Sequence, residues 1–174
     1  MQALYDMSTA IRDFMELGGP VLNAIAFVIL WMWVLIIERV VFFRVEFPKQ
    51  VRAEQNVWEG RGEHRSWHAR MVRMAMVSRL TEAAGGSVSM IKTLVALCPL
   101  LGLVGTVTGM IDVFDVLSIA GTGNARSMAA GVSKATIPTM AGMVGALFGV
   151  LAVTWITRTS TKAVKKLDDV FVTD

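Results

Sequence analysis

The chain has 174 residues, of which 54% are hydrophobic and 18% charged, with a formal net charge of +3 and a mean hydropathy of +0.56. An ordinary soluble domain carries roughly 25% charged residues, and a chain of this length has too few polar side chains to cover long buried helices. Soluble enzymes and nucleic-acid-binding modules are thereby excluded, and the basic surplus shows no alternation of aromatic and basic residues on a platform that could hold nucleic acid.

Three uncharged runs, at 17–37, 93–111 and 135–157, each approach the ~20 residues that cross a bilayer's hydrocarbon core. The expected fold is an all-α membrane protein with three transmembrane helices. Residues 1–19 hold Asp6, Asp13 and Glu16 against Arg12, the opposite of a basic signal-peptide start. Leu4, Met7, Ile11 and Phe14 or Met15 recur at helical spacing, which predicts an amphipathic helix along the outer membrane surface. Gly18, Gly19 and Pro20 end it.

Residues 20–43 form the first span, with Trp31 and Trp33 set in a run of Ile, Leu and Val and no polar group in its interior. It is the best candidate to face lipid. Its closing pair, Glu38 and Arg39, followed by Phe42 and Phe43, reads as an interfacial anchor whose charged tips snorkel to headgroups. Packing against a neighbouring subunit is the alternative.

Residues 44–91 carry charges at short intervals, with Val51, Val57, Trp67, Met71, Met74 and Leu80 as the expected apolar side of two or three amphipathic helices. Pro48, Gly60 with Gly62, and Gly85 with Gly86 punctuate them. His64 and His68 have the spacing of a metal pair, but no cysteine is near and Glu63 points elsewhere on a helix. They read as solvated surface, and no metal or cofactor is expected.

The second span, 92–116, contains LVALCPLLGLVGTVTGMI. Gly102, Gly105, Thr106 and Gly109 fall within about 100° of one another around a helix, a narrow face with no bulk beyond one hydroxyl. Such a face packs against another helix or lines a path. Pro99 frees a backbone carbonyl one turn earlier, and Cys98, the single cysteine, can form no intramolecular disulfide. Thr108, Asp112 and Asp115 lie roughly opposite, with the acids at the water-filled outer end.

A short polar loop at 117–133, containing SIAGTGNARS, turns the chain into an antiparallel hairpin. The third span, 134–157, repeats the small-residue theme with Thr136, Thr139, Gly142, Gly145 and Gly149. Thr157 lies eighteen residues after Thr139, on the same line of the helix. Either these threonines face a polar path or each hydroxyl bonds a carbonyl of its own preceding turn. Residues 158–174 keep helical spacing through Val164, Leu167 and Phe171, so the helix continues beyond the membrane.

Lys and Arg decide the orientation. The first loop holds Arg44, Lys49, Arg52, Arg61, Arg65, Arg70, Arg73 and Arg79, and the tail holds Arg158, Lys162, Lys165 and Lys166, whereas only Arg12, Arg126 and Lys134 lie on the other side. The positive-inside bias puts the first loop and the tail in the cytoplasm, as a helical domain built from that loop and the helix extensions, and the N-terminus outside.

Two stretches, GLVGTVTGMIDVF at 102–114 and GVSKATIPTMAGMVGALFGVL at 131–151, resemble the paired signature of the MotA/TolQ/ExbB proton-channel family. The topology and short length are most similar to compact ExbB subunits of TonB energy-transducing systems. MotA proteins have four spans. The resemblance implies a homopentamer in the bacterial inner membrane, with an ExbD-like single-span partner supplying a membrane aspartate and a TonB-like protein delivering the energy. It also implies that Thr106 and Thr139 line the proton path. The residues agree on one point: no Asp or Glu lies well inside any span, so a titrating carboxylate has to come from another chain.

Lys134 stands where many ExbB and TolQ sequences have Glu, and it is expected at the outer mouth, paired with Asp112, Asp115 or an acid of the partner. A TolQ-like envelope motor and a scaffold without ion conduction are the alternatives. No Ser/His/Asp, Cys/His or metal constellation near a span suggests an enzyme.

Overall fold

The structure, a computed structural model, describes residues 1–61, 66–120 and 125–170. The side chains of Leu4, Met7, Ile11, Arg126 and Lys166, and the whole of His64, Arg65 and Phe171, lie outside the described residues. The described chain is all helical: α1 spans Gln2–Val41, a π turn Phe42–Glu46, α2 Phe47–Glu59, α3 Trp67–Gly85, α4 Val88–Ala120 and α5 Ala125–Val170. Three stretches, Gly18–Glu59, Trp67–Ser118 and Met128–Lys165, are long and apolar enough to cross a membrane. The fold is therefore that of a multi-pass membrane protein.

The interruptions have local causes. Gly19 takes a φ of 66° and kinks α1, a conformation open to glycine at little cost, and Pro20 then opens the next turn with its φ already set. At the far end Pro48 offers no N–H to the Arg44 carbonyl and crowds it. The backbone widens just before it, and the Phe47 N–H reaches back to the Phe42 carbonyl.

Between the last two helices the structure departs from expectation. Most of 117–133 is helical, because α4 runs on to Ala120 and α5 begins at Ala125. Polarity suggested a loop there, but Ala125, Met128, Ala129 and Ala130 are good helix formers and outweigh it.

The chain divides into two compact units, the first comprising Met1–Met32 and Thr93–Val150 and the second Trp33–Lys92 and Leu151–Asp174. In the first, Leu22, Ile25 and Met32 of α1, Val95, Cys98 and Val113 of α4, and Ala135 and Ala146 of α5 are buried. The outer side of α1 remains exposed, with Phe27 and Trp31 stacked at 6.3 Å between ring centroids.

In the second unit the core is Phe47, Trp58, Ala69, Met76, Leu80, Ala84 and Leu167. This corrects the expected apolar stripe. Leu80 is buried and Val51 packs at the margin, but Val57, Trp67, Met71 and Met74 are exposed, with Trp58 and Met76 inside instead. α3 carries apolar residues all round, so its periodicity does not choose a face. Packing chose the side with Ala69 and Ala84, where small side chains let helices approach.

Arg39 is a second correction. Rather than snorkelling to headgroups, it is 3% exposed, its guanidinium 4.6 Å from the Phe42 ring centroid and 5.1 Å from that of Phe43. It donates to the Ala83 carbonyl and lies against Gly86, where a Cβ would sit 2.9 Å from its Nη1. A flat, weakly hydrated cation suits this slot between two rings and a glycine. Beside it Glu38 accepts a hydrogen bond from Ser87 Oγ at 3.3 Å, so the end of the first span holds the α3–α4 corner.

Candidate functional site: the glycine seam and its threonines

Within the first unit, α4 and α5 meet along their glycines. A Cβ added to Gly102 would lie 2.9 Å from the Thr139 Cα, one on Gly109 would lie 2.6 Å from the Ala135 Cβ, and one on Gly142 would lie 2.5 Å from the Cys98 carbonyl oxygen. Residue numbers rise on one helix as they fall on the other, so the pair is antiparallel. A Cβ on Gly142 would also lie 3.4 Å from the Gly102 Cα, so the two glycines face each other, and such contact needs the absence of both side chains. Gly105 receives Pro138 and Val21, Gly145 receives Ile29, and Gly149 receives Val95 and Met32. α1 thus completes the seam. The places of Pro138, Ala135 and the Cys98 carbonyl were not legible in the sequence, where they differ in no way from other span residues.

The threonines divide by partner. Thr139 lies in the seam and donates to the Gly102 carbonyl at 2.8 Å, an interhelical bond. Thr106, beside the seam, donates to the Leu103 carbonyl of its own helix at 2.7 Å. Exposed Thr136 donates to the Ser133 carbonyl at 2.8 Å. With their hydrogens so placed, these hydroxyls present lone pairs alone to anything that approaches, so they accept hydrogen bonds from water or from a protonated carboxyl. Thr157, in the second unit, differs: its Oγ1 is buried without a hydrogen-bond partner, where a bond to its own preceding turn was the expected alternative.

At the end of the α4–α5 hairpin a cleft of about 150 Å³ is lined by Gly109, Asp112, Val113, Val116, Leu117, Met128, Gly131 and Lys134. Lys134 and Asp112 share this cleft, yet among the described residues no ion pair joins Lys134 to Asp112 or Asp115. Asp115 is exposed outside it. No group of three His, Cys, Asp or Glu side chains that could hold a metal ion occurs among the described residues.

The arrangement is a close-packed, glycine-lined helix pair carrying acceptor hydroxyls and, among its buried residues, no carboxylate. Comparison with curated proteins found no match. The family model described as the MotA/TolQ/ExbB proton channel family matches residues 47–169, which takes in both signature stretches, the seam and most of the second unit. On that match, the chain belongs to the MotA/TolQ/ExbB proton-channel family.

Proposed function

We propose that the chain is an ExbB-like stator subunit of the bacterial inner membrane. Five copies surround an ExbD-like single-span partner, and proton flow through the complex drives a TonB-like protein that energises transport across the outer membrane. In this reading the N-terminus is outside and the second unit is cytoplasmic, in keeping with the distribution of Lys and Arg.

One observation carries the reading. The spans offer hydroxyls that can only accept at Thr106 and Thr139, and no acid well inside any of them. A proton relay through hydrocarbon needs a group that loads and releases charge. The partner's aspartate supplies it, and the threonines accept from its protonated form. Lys134, which among the described residues is joined by no ion pair to Asp112 or Asp115, holds a second acid of the partner at the outer mouth.

The test is Thr106→Val with Thr139→Val in the complex purified with its single-span partner and placed in proteoliposomes. Proton flux followed with a pH-sensitive dye should fall at least about tenfold, as losing one or two functional hydrogen bonds would give, with the copy number by native mass unchanged. A scaffold tolerates both changes, and undiminished flux refutes the channel reading. Lys134→Met should weaken retention of the partner without dissociating the subunits from one another, and unchanged assembly and transport would refute its role.

A further inference from the structure

The hydroxyls of the first unit stand at one level. Gly109 abuts Ala135 and Gly102 abuts Thr139, so Thr106, between those two glycines, is level with Thr136 and Thr139. Each of the three donates to a carbonyl and keeps its lone pairs for water or a protonated acid. Along α5 beyond Thr139 the hydroxyls stop. Residues 140–153, MAGMVGALFGVLAV, hold no polar side chain over about 21 Å of helix. Residues 94–105 of α4 hold none but the thiol of Cys98, which is buried.

Two large side chains continue the line that the hydroxyls make. At 100° per residue Met143 lies about 40° from Thr139 and about 20° from Thr136 round the helix, and Val150 lies about 20° from Thr139. Met140, by contrast, is about 100° from Thr139. Gly145, which receives Ile29 of α1, is about 160° from Met143 and about 140° from Val150. α1 therefore leaves both uncovered, and Met143 is 56% exposed and Val150 52%.

Water is held in a confined space by two to four polar partners, and an apolar constriction shuts a path by losing its water. Hydroxyls at one level, followed on the same line by two apolar side chains, make a path that is open at one end only.

We infer that Met143 and Val150 seal the inner end of a half-path lined by Thr106, Thr136 and Thr139. A proton taken from water at the hydroxyls leaves that level only on the partner's carboxylate, as its neutral carboxylic acid, so each proton is tied to a movement of the partner. This rests on the proposed function and adds to it the place where water stops.

The test is Met143→Thr with Val150→Thr, which extends the hydroxyl line in steps of two turns, in the complex purified with its single-span partner and placed in proteoliposomes. Proton flux followed with a pH-sensitive dye should rise at least about threefold as the stretch becomes wet. Val144→Thr with Leu151→Thr makes the same kind of change one residue further on, about 100° round the helix, and should leave flux at the parent level. Val150→Thr alone, close to valine in shape, should raise flux by a smaller factor and carries the test if the double variant does not assemble by native mass. Parent-level flux in the assembled variants, or an equal rise with the control pair, overturns the seal. The channel reading survives that result if Thr106→Val with Thr139→Val still lowers flux in the same preparation. Flux that neither the threonine pair nor the seal pair affects overturns both.

Discussion

At the scale of single residues, the nature of the neighbouring atom decides what a glycine is for. A Cβ on Gly142 would meet the Cys98 carbonyl oxygen at 2.5 Å, whereas one on Gly145 would meet the flexible tip of Ile29. Backbone cannot yield without moving a helix. Gly142→Ala is therefore expected to destabilise by about 1–3 kcal/mol, as overpacking does, and Gly145→Ala by under about 1 kcal/mol once Ile29 rotates. The midpoint of SDS-induced unfolding in mixed micelles reads both, and equal midpoints would refute the distinction.

The hydroxyls are set apart in the same way. Thr139→Val removes an interhelical bond and should cost about 0.6 kcal/mol, the average for such bonds in a membrane protein. Thr157→Val removes a buried hydroxyl without a partner. It should leave the same midpoint unchanged or raise it, since the desolvation of an unmet polar group is relieved. A loss larger than that of Thr139→Val would show that Thr157 makes a bond in the assembled protein.

At the scale of elements, Arg39 ties the end of the first span to the α3–α4 corner through the Ala83 carbonyl and the bare backbone at Gly86. Lysine can keep the charge but cannot lie flat between Phe42 and Gly86. Arg39→Lys should therefore speed hydrogen exchange at the Gly86 N–H, which bonds the Glu82 carbonyl, and lower stability by about 1–3 kcal/mol. Exchange unchanged from the parent protein would show that the corner holds without the clamp.

α2 and α3 allow a parallel comparison. Ala69 is fully buried and Val57 is 56% exposed, so Ala69→Leu should destabilise by about 1–3 kcal/mol through overpacking, and Val57→Ala should stay within about 0.5 kcal/mol. The salt bridge between Arg79 and Glu54, at 3.8 Å with the arginine side chain 72% exposed, adds little to their association. The buried face holds these helices together.

At the scale of the whole molecule, a single chain leaves large apolar side chains exposed on each of its long helices, among them Leu30, Leu103 and Leu147, as a multi-pass membrane protein does where its helices face lipid. The lack of a carboxylate well inside any span and the acceptor hydroxyls are the features for which the proposed function calls on other chains. The predicted loss of proton flux with copy number intact tests that dependence at this scale.

Composition and spacing by themselves determined the helical class, the three spans and the small-residue faces, because hydropathy and helical periodicity are local properties summed over some twenty residues. The same local signals placed Gly18 and Gly19 at a break and extended α5 past the third span. Only the tertiary structure decided which face of α3 is inside, because a helix whose apolar and polar residues are both spread round its circumference has no preferred face until α2 and α5 pack on it. It alone placed Arg39 in a slot rather than at a headgroup, since that slot is made by Gly86 and Ala83, more than forty residues away. It alone also distinguished a threonine bonded across the seam from one bonded within its own turn, since a hydroxyl's partner depends on how near a second backbone comes.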